Sequence, residues 1–435
     1  MAKFAVLGHG VVGSGTVELF LKNKEQINKK SNIDLDLKYI LDIRDFPGLP
    51  YSDKFTKDIN DILNDDEVTV VAEVMGGVHP AYDFVLACLN KGKSVCTSNK
   101  ELVAKKGAEL LKAAKDHNCN FMFEASTGGA IPIIRPLRSC LAANEITEIA
   151  GILNGTTNFI LTKMITEKMS FENALAMAQR LGYAEKNPAA DVEGADACRK
   201  ICILSSLAFG KHVYPDWVHC EGITELTLED VAYAQSWGGA VKLIGSVKKL
   251  DDGRILPMVA PRFVCDDCLL SSIDDVFNGI MVCGDGFDKV MFYGRGAGKL
   301  PTASAVLGDV IDCAKHNTTI LSQMWEDSTD NSFIEDYKEA EVRMYVRVKG
   351  ADKAAVAAPP QSATLALSIV MSVNYLAIVL CPFIIDLLRN ILHMQGERFP
   401  FILNAVLAFV AVLLTWRYRN SYAFGLDRSY YQSDK

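Results

Sequence analysis

Short apolar runs alternate with amphipathic stretches along the first part of the chain. We interpret the runs as buried strands, at 3–8, 37–41, 68–74, 94–97 and 120–123. Helical periodicity follows the first run over 12–26, follows the third run up to residue 89, and fills the interval between the last two. Strands that alternate with helices at this spacing predict an α/β domain with a Rossmann-like, doubly wound parallel sheet.

The pattern becomes mixed near residue 132. A strand-like run is followed by helical patterns and by two runs that an Asp-Asp-Gly turn joins, which predicts a hairpin. The predicted strands are 148–153, 241–249 and 255–263, and the predicted helices are 171–181 and 195–209. We therefore predict an α+β domain with an open sheet, and a helix at 301–315 that returns to the first domain.

The composition changes after Ala358-Pro359-Pro360. Residues 363–385 are apolar and uncharged over about the length that spans a bilayer. A shorter apolar run at 400–416 ends in Trp416-Arg417-Tyr418, the aromatic and basic flank of a membrane interface. These runs predict a two-helix transmembrane hairpin that anchors a cytoplasmic catalytic region, and two buried helices of a soluble domain are the alternative.

These changes divide the chain into four predicted parts. They are the α/β domain (1–131, with 301–320 packing back on it), the α+β domain (132–320), a linker region (321–357), and the hairpin with its tail (358–435). The net charge of −8 argues against a nucleic-acid partner. Twelve scattered cysteines are typical of a reduced protein rather than of a disulfide framework.

The sequence GHGVVG stands between the first predicted strand and its helix, where a dinucleotide fingerprint belongs. Gly8 permits a tight turn, Gly10 lets the backbone approach a pyrophosphate, and Gly13 allows close helix packing. The phosphates are predicted at the helix N-terminus, where free N–H groups and the helix dipole favour anions. The remaining predicted cofactor contacts of this turn are His9, Val11, Val12 and Ser14.

Asp42 and Arg44 give conflicting indications about the cofactor. Asp42 ends the second predicted strand, where a carboxylate that bonds a ribose hydroxyl favours NAD. Arg44 lies two residues on and would instead hold the 2′-phosphate of NADP. The residues therefore predict NAD or NADP without choosing between them.

The segment 182–200 concentrates charged side chains that one small substrate could touch. Glu185 and Asp191 lie in an Asn-Pro segment that we interpret as a substrate-binding loop. Asp196 and Lys200 follow at i,i+4, a spacing that places both on one face of a helix. A catalytic lysine with its orienting carboxylate is one interpretation of this pair, and an ordinary helix ion pair is the other.

Six motifs occur in order and carry a family resemblance: GHGVVG, TSNKEL, EASTGGAIPI, GILNGTTNFIL, GYAE…DVEGADACRK and GRGAGKLPTASAVLGDV. From about residue 3 to 356 the chain resembles homoserine dehydrogenase. The resemblance implies NAD(P)-dependent interconversion of L-homoserine and L-aspartate 4-semialdehyde, in the threonine and methionine branch of amino-acid synthesis. It also implies a dinucleotide-binding domain at 1–131, a substrate domain at 132–320 that is the catalytic and dimerisation domain, and a fragment of an ACT-like domain within 321–357. The protein is then expected to be a homodimer or homotetramer.

The resemblance assigns roles to single residues. Lys200 matches the catalytic lysine, which Asp196 could orient, and Lys100 matches a lysine near nicotinamide and substrate. Glu185 matches the carboxylate that holds the substrate ammonium, and Gly298 matches a cofactor contact. The NGTTN motif at 154–158 is expected to shape the substrate pocket, or to act as a helix N-cap.

The resemblance further implies a sodium ion held by backbone carbonyls in EASTGGAIP. The matching positions are Glu124, Thr127, Gly129 and Ile131. Carbonyl oxygens suit hard cations, and a tight turn without an ion is the alternative. Two other functions stay open from the residues: a nucleotide-binding sensor without catalysis, and a membrane-tethered scaffold. Loss of Lys200 or Glu185 would favour the sensor, and both are present.

Overall fold

The computed structural model describes residues 2–236, 238–316, 319–321, 325–339 and 345. Apart from Tyr345 they lie in one compact unit, Met1–Glu341. The predicted hairpin at 363–416 lies outside the described residues. Of the linker and ACT-like fragment at 321–357, the structure describes residues 321, 325–339 and 345, so both assignments stay predictions. Among the helices that the structure describes, none combines the length and apolar character that crossing a membrane requires.

A parallel sheet with strands in the order β3-β2-β1-β4-β5-β6 forms the first half of the unit. Its strands are β1 (Ala2–Leu7), β2 (Leu35–Leu41), β3 (Phe55–Thr56), β4 (Val68–Glu73), β5 (Ser94–Thr97) and β6 (Phe121–Met122). The connecting helices are α1 (Val11–Ser31), α2 (Asn60–Leu63), α3 (Ala81–Asn90) and α4 (Lys100–Asp116). The prediction of a Rossmann-like parallel sheet is confirmed.

Strand β1 shows why the consecutive residues Phe4–Leu7 are all apolar. Phe4 and Val6 pack in one apolar cluster with Phe20 of α1, whereas Ala5 and Leu7 pack in another with the helices on the opposite face. Helices therefore cover both faces of the sheet, as in doubly wound folds. Helix α1 ends at Ser31, five residues beyond its predicted end. The prediction stopped early because the last turn of the helix is polar. Asn32 follows the helix in the left-handed conformation (φ 56°).

The second half contains a mixed sheet in the order β12-β11-β7-β9-β10-β8. Its strands are β7 (Ile146–Ile152), β8 (His219–Cys220), β9 (Gly239–Lys249), β10 (Ile255–Cys265), β11 (Phe277–Gly284) and β12 (Asp288–Arg295). Its helices are α5 (Gly155–Thr166), α6 (Phe171–Arg180), α7 (Ala189–Val192), α8 (Ala195–Phe209) and α9 (Leu228–Ser236). The β9–β10 hairpin is antiparallel, as the Asp-Asp-Gly turn predicts.

The last described helix, α10 (Lys299–Lys315), packs against the first sheet. Its residues Val306, Val310 and Cys313 join the apolar cluster of Phe4 and Phe20. Strands β11 and β12 were not predicted, because glycines interrupt the first and the second is partly exposed. One prediction is wrong: Asp191 lies in the one-turn helix α7 rather than in a loop.

Candidate active site

The turn between β1 and α1 has free space beside Gly10, which is its open side, whereas its backbone is closely packed at Gly13. Gly8 has φ +95°, which an L side chain rarely adopts, and a Cβ on Gly13 would lie 2.0 Å from the Gly8 carbonyl oxygen. A Cβ on Gly10, by contrast, would meet nothing within 4 Å. The open side lies at the α1 N-terminus, so the turn fits a dinucleotide pyrophosphate.

Main-chain atoms rather than side chains shape this turn. The His9 ring is buried and packs on Phe46 and Phe55, and its backbone N–H donates to Asp42 Oδ2 at 2.7 Å. That amide is therefore directed to Asp42 and not to the open side. Val11 is 68% exposed at the helix start, while Ser14 Oγ donates to the Val11 carbonyl. Val12, in the same first turn, is partly buried against the apolar cluster around Phe4.

Arg44 donates hydrogen bonds to both carboxylate oxygens of Asp42. Arg44 Nε donates to Asp42 Oδ1 and Arg44 Nη2 to Asp42 Oδ2, both at 2.9 Å. Hydrogen bonds from this guanidinium hold the pKa of the Asp42 carboxyl well below its usual range. The Asp42 side chain is 7% exposed and the Arg44 side chain 58% exposed. The carboxylate thus fixes the arginine, and the arginine presents the accessible charge.

Asp196 joins two lysines that come from different halves of the fold. Its Oδ2 lies 2.8 Å from Lys200 Nζ, and its Oδ1 pairs with Lys100 at the start of α4. Lys200 Nζ also donates to the Leu153 carbonyl at 2.6 Å. The side chains of Asp196 and Lys200 are 5% and 7% exposed, against 39% for Lys100. The structure therefore brings the three predicted catalytic residues together.

Burial and charge act in opposite directions on this cluster. Burial lowers the pKa of Lys200, and the nearby Asp196 carboxylate partly offsets that effect. Burial would raise the pKa of Asp196, but the charges of Lys200 and Lys100 outweigh it and hold that pKa below its usual range. A desolvated lysine beside an ionised carboxylate is suited to accept and release a proton.

Asn154 connects the cluster to Asp191. Its Nδ2 donates to Asp191 Oδ1 at 2.7 Å and to Asp196 Oδ2 at 2.9 Å. Burial raises the pKa of Asp191, and the hydrogen bond from Asn154 opposes that rise. The NGTTN motif is an N-cap, as one interpretation had it, because Asn154 Oδ1 accepts the N–H of Thr157. It also reaches the carboxylates, which sequence reasoning did not specify.

Glu185 lies apart from the buried cluster, exposed in the connection between α6 and α7. Its carbonyl accepts a hydrogen bond from Gln179 at 3.1 Å. The same connection is tied to α5, since Thr156 Oγ1 donates to the Tyr183 carbonyl at 2.8 Å. Glu185 thus lies on a segment that is fixed to the N-terminal end of α5, close in sequence to the Asp191 turn.

The loop that precedes Lys100 is held by a carboxylate that sequence reasoning missed. Glu73 ends β4, is fully buried, and accepts hydrogen bonds from Met75 N–H at 2.7 Å and Thr97 Oγ1 at 2.5 Å. Thr97 Oγ1 in turn accepts the N–H of Asn99, which caps α4 one residue before Lys100. Burial raises the pKa of Glu73. The sequence signal that could have identified Glu73 is its place at the end of an apolar run, like that of Asp42.

The EASTGGAIP segment folds around the Glu124 carboxylate. That carboxylate accepts the N–H groups of Ile133, Ile134 and Arg135 at 2.7–2.9 Å. The carboxylate is therefore engaged within the protein, and the prediction concerns the backbone carbonyl of Glu124 instead. Gly129 turns the chain with φ +57°. Thr127 and Ile131 flank this turn and are buried. The sodium site stays a prediction.

Gly298 begins the helix that packs on the first sheet. It is the N-cap of α10 and has φ +125°, a conformation that favours glycine. Lys299 follows it, and a Cβ on Gly15 of α1 would lie 2.8 Å from the Lys299 side chain. The α10 N-terminus therefore lies against α1, the helix that the cofactor turn opens.

Two family models match the chain. The model described as "Homoserine dehydrogenase, NAD binding domain" matches residues 8–124, and the model "Homoserine dehydrogenase" matches residues 132–311. A homoserine dehydrogenase of Synechocystis sp. is 42% identical over 315 residues, which are 71% of this chain and 72% of that protein.

Solved structures agree with these matches. A homoserine dehydrogenase from Thiobacillus denitrificans aligns with a TM-score of 0.69 and 36% identity, over 74% of this chain and 77% of that one. A hyperthermophilic archaeal homoserine dehydrogenase, solved in complex with NADPH, aligns with a TM-score of 0.60 and 26% identity, over 72% of this chain and 97% of that one.

Proposed function

The chain belongs to the homoserine dehydrogenase family and is an NAD(P)-dependent oxidoreductase acting on a CH–OH group, and on that premise we propose how its side chains share the reaction. The observation that carries the proposal is the buried contact of Asp196 with both Lys200 and Lys100. A non-catalytic sensor is not favoured, because relatives with 38–42% identity are homoserine dehydrogenases.

Lys200 moves the proton of the homoserine hydroxyl. NAD(P), when bound, supplies or accepts the hydride. In homoserine oxidation the neutral Lys200 amine takes the hydroxyl proton, and in the reverse direction the Lys200 ammonium returns it to the aldehyde oxygen. Burial supports this role because it lowers the pKa of Lys200 towards the range where both forms are populated.

Asp196 and Lys100 set the electrostatics of that proton transfer. Asp196 holds Lys200 Nζ in place together with the Leu153 carbonyl. Lys100, the more exposed of the two lysines, presents a positive charge that favours negative charge developing on the substrate oxygen. Both roles require Asp196 to stay ionised, which the positive charges beside it favour.

Glu185 and Asp191 bind the amino-acid end of homoserine. An ammonium group needs acceptors, and an ionised carboxylate is a strong one. Asn154 donates hydrogen bonds to both Asp191 and Asp196, and Glu185 lies in the connection between α6 and α7 that precedes Asp191. The substrate would then extend from these carboxylates to Lys200.

The β1–α1 turn holds the cofactor pyrophosphate through backbone N–H groups. Gly298 contributes from the start of α10, where the next residue, Lys299, lies against Gly15 of α1. Arg44 binds the 2′-phosphate of NADP. Support comes from Asp42, which already accepts hydrogen bonds from Arg44 and from the His9 amide, so the charge left accessible is positive. The NADPH bound to the archaeal relative agrees with this assignment.

Three finer predictions remain part of the proposal. A sodium ion would be held by the carbonyls of EASTGGAIP, the protein would form homodimers or homotetramers, and residues 363–416 would anchor it to a membrane. Sedimentation of the full-length protein with membranes, compared with a chain ending at residue 356, tests the anchor. Recovery of the full-length protein in a detergent-free soluble fraction would contradict it.

The function itself is tested by homoserine oxidation. The purified chain is mixed with L-homoserine and either NAD or NADP, and reduced cofactor is followed by absorbance. Homoserine-dependent reduction is expected with at least one cofactor. A folded protein that binds cofactor but reduces none would support the sensor instead.

A further inference from the structure

Asn154 lies between two carboxylates of the active site and donates to both. One amide N–H goes to Asp191 Oδ1 at 2.7 Å and the other to Asp196 Oδ2 at 2.9 Å. Asn154 is 5% exposed, so water competes little for these bonds. Hydrogen bonds to charged groups are stronger than those between neutral groups.

The orientation of this amide is determined by the fold. Asn154 Oδ1 accepts the backbone N–H of Thr157 at 2.8 Å, as the N-cap of α5. Since the oxygen is committed to the helix, the amide nitrogen must face the carboxylates. The preceding residue contributes as well, because the Leu153 carbonyl accepts from Lys200 Nζ. The junction between β7 and α5 therefore contacts both members of the ion pair.

The charges around Asp191 explain why such a donor is needed. Burial and the Asp196 carboxylate both favour the neutral form of Asp191, whereas Lys100, Lys200 and the Asn154 hydrogen bond favour the ionised form. Two adjacent carboxylates repel each other, and an N–H directed at each reduces that repulsion. Loss of the amide would raise the pKa of Asp191 further.

We propose that Asn154 is a positioning residue, which keeps Asp191 charged for the substrate ammonium and holds Asp196 towards Lys200. This inference rests on the proposed function of Asp191 and Asp196. Asn154 acts through these carboxylates rather than on the substrate.

Asn154→Ser tests the proposal, because serine still caps a helix but supplies neither amide donor. The KM for homoserine should rise about tenfold or more, the size expected when a hydrogen bond to a charged group is lost. In both proteins KM should increase as the pH falls, because Asp191 becomes protonated. In Asn154→Ser this increase should begin at a higher pH than in the wild type. Asn154→Asp, which keeps a capping oxygen and adds a third negative charge, should move that onset further in the same direction.

Asn120→Ser is the control outside the site. Asn120 is also buried, but its Nδ2 donates to the carbonyls of His316 and Thr319 at 3.3 and 2.9 Å. It should lower the melting temperature without moving the pH dependence of KM. Tm and cofactor Kd are measured for every variant, so that misfolding is recognised.

The outcomes separate the inference from the proposed function. A wild-type protein that does not oxidise homoserine would overturn the proposed function. An active wild type with the same pH dependence of KM in all three variants would overturn only the role of Asn154. If Asn154→Ser does not fold, Asn154→Asp tests the proposal. The pH at which KM begins to increase should be higher in that variant than in the wild type, and an unchanged or lower pH would overturn the role of Asn154.

Discussion

The Asp196 carboxylate and the Lys200 ammonium lie 2.8 Å apart on successive turns of α8, with both side chains almost fully buried. An exposed pair at this spacing contributes only a few tenths of a kcal/mol, roughly 0.3–0.5. Here the carboxylate is shared with Lys100, and burial opposes the charge on Lys200. In the proposed function the pair sets the protonation equilibrium of Lys200, in addition to any contribution to helix stability.

Asp196→Asn should shift the pH dependence of homoserine oxidation. Oxidation requires neutral Lys200, so kcat/KM rises with pH through the pKa of that lysine. The Asp196 charge raises this pKa, so its removal should lower the pKa and move the profile to lower pH while the maximal rate falls. The measurement is kcat/KM for homoserine against pH for both proteins.

Asp116→Asn is the control for this shift. Asp116 forms an i,i+4 pair with Lys112 at 2.6 Å, but both side chains are more than half exposed. Its profile should coincide with that of the wild type. A profile for Asp196→Asn that moves to higher pH would contradict the account.

Gly10→Ala and Gly13→Ala should fail in different ways. A Cβ on Gly13 would lie 2.0 Å from the Gly8 carbonyl, so the turn must distort and the melting temperature should fall. A Cβ on Gly10 meets nothing within 4 Å, so that variant should fold normally and lose cofactor affinity, because the methyl group occupies the side that the pyrophosphate approaches. Thermal melts and cofactor titrations distinguish the two, and unaltered cofactor binding by folded Gly10→Ala would place the pyrophosphate elsewhere.

The helix–strand pattern was largely predictable because it follows from burial. The strands of the first sheet are apolar because helices cover both faces, and α8 was predicted with its observed ends because Gly194 and Gly210 bound its apolar pattern. Strands β11 and β12 escaped prediction, since Gly279 and Gly284 interrupt one run and partial exposure weakens the other.

The site was predictable where it is local in sequence. Asp196 and Lys200 share a helix face by spacing alone. The partnership of Asp196 with Lys100 depends on how α4 packs against α8, and the contact of Asn154 with Asp191 depends on the junction of β7 and α5. Such pairings arise from tertiary packing, which no local pattern encodes.

Glu185→Gln should mainly weaken homoserine binding. The substitution removes the charge that we assign to the substrate ammonium, so the KM for homoserine should rise by about tenfold or more while cofactor affinity stays near wild type. Glu193→Gln, another exposed glutamate of the same segment, is the matched control and should leave both values unchanged. A Glu185→Gln variant that weakens only cofactor binding would show that the assignment is wrong.

Arg44→Ala should weaken NADP more than NAD, because only NADP carries the 2′-phosphate. The variant also frees both oxygens of Asp42 from the guanidinium, which leaves a carboxylate able to bond a ribose hydroxyl. Kd values for both cofactors give the comparison. Equal losses would mean that Arg44 does not bind the phosphate.

Lys200→Ala tests the central claim most directly. The variant removes the proton-transferring amine and leaves the β1–α1 cofactor turn untouched, so homoserine oxidation should fall on the order of a hundred- to ten-thousand-fold while cofactor Kd stays near wild type. The measurement is kcat for homoserine at saturating cofactor, together with cofactor Kd and Tm on the same preparation. A folded, cofactor-binding Lys200→Ala protein that keeps more than about a tenth of wild-type kcat would contradict the account.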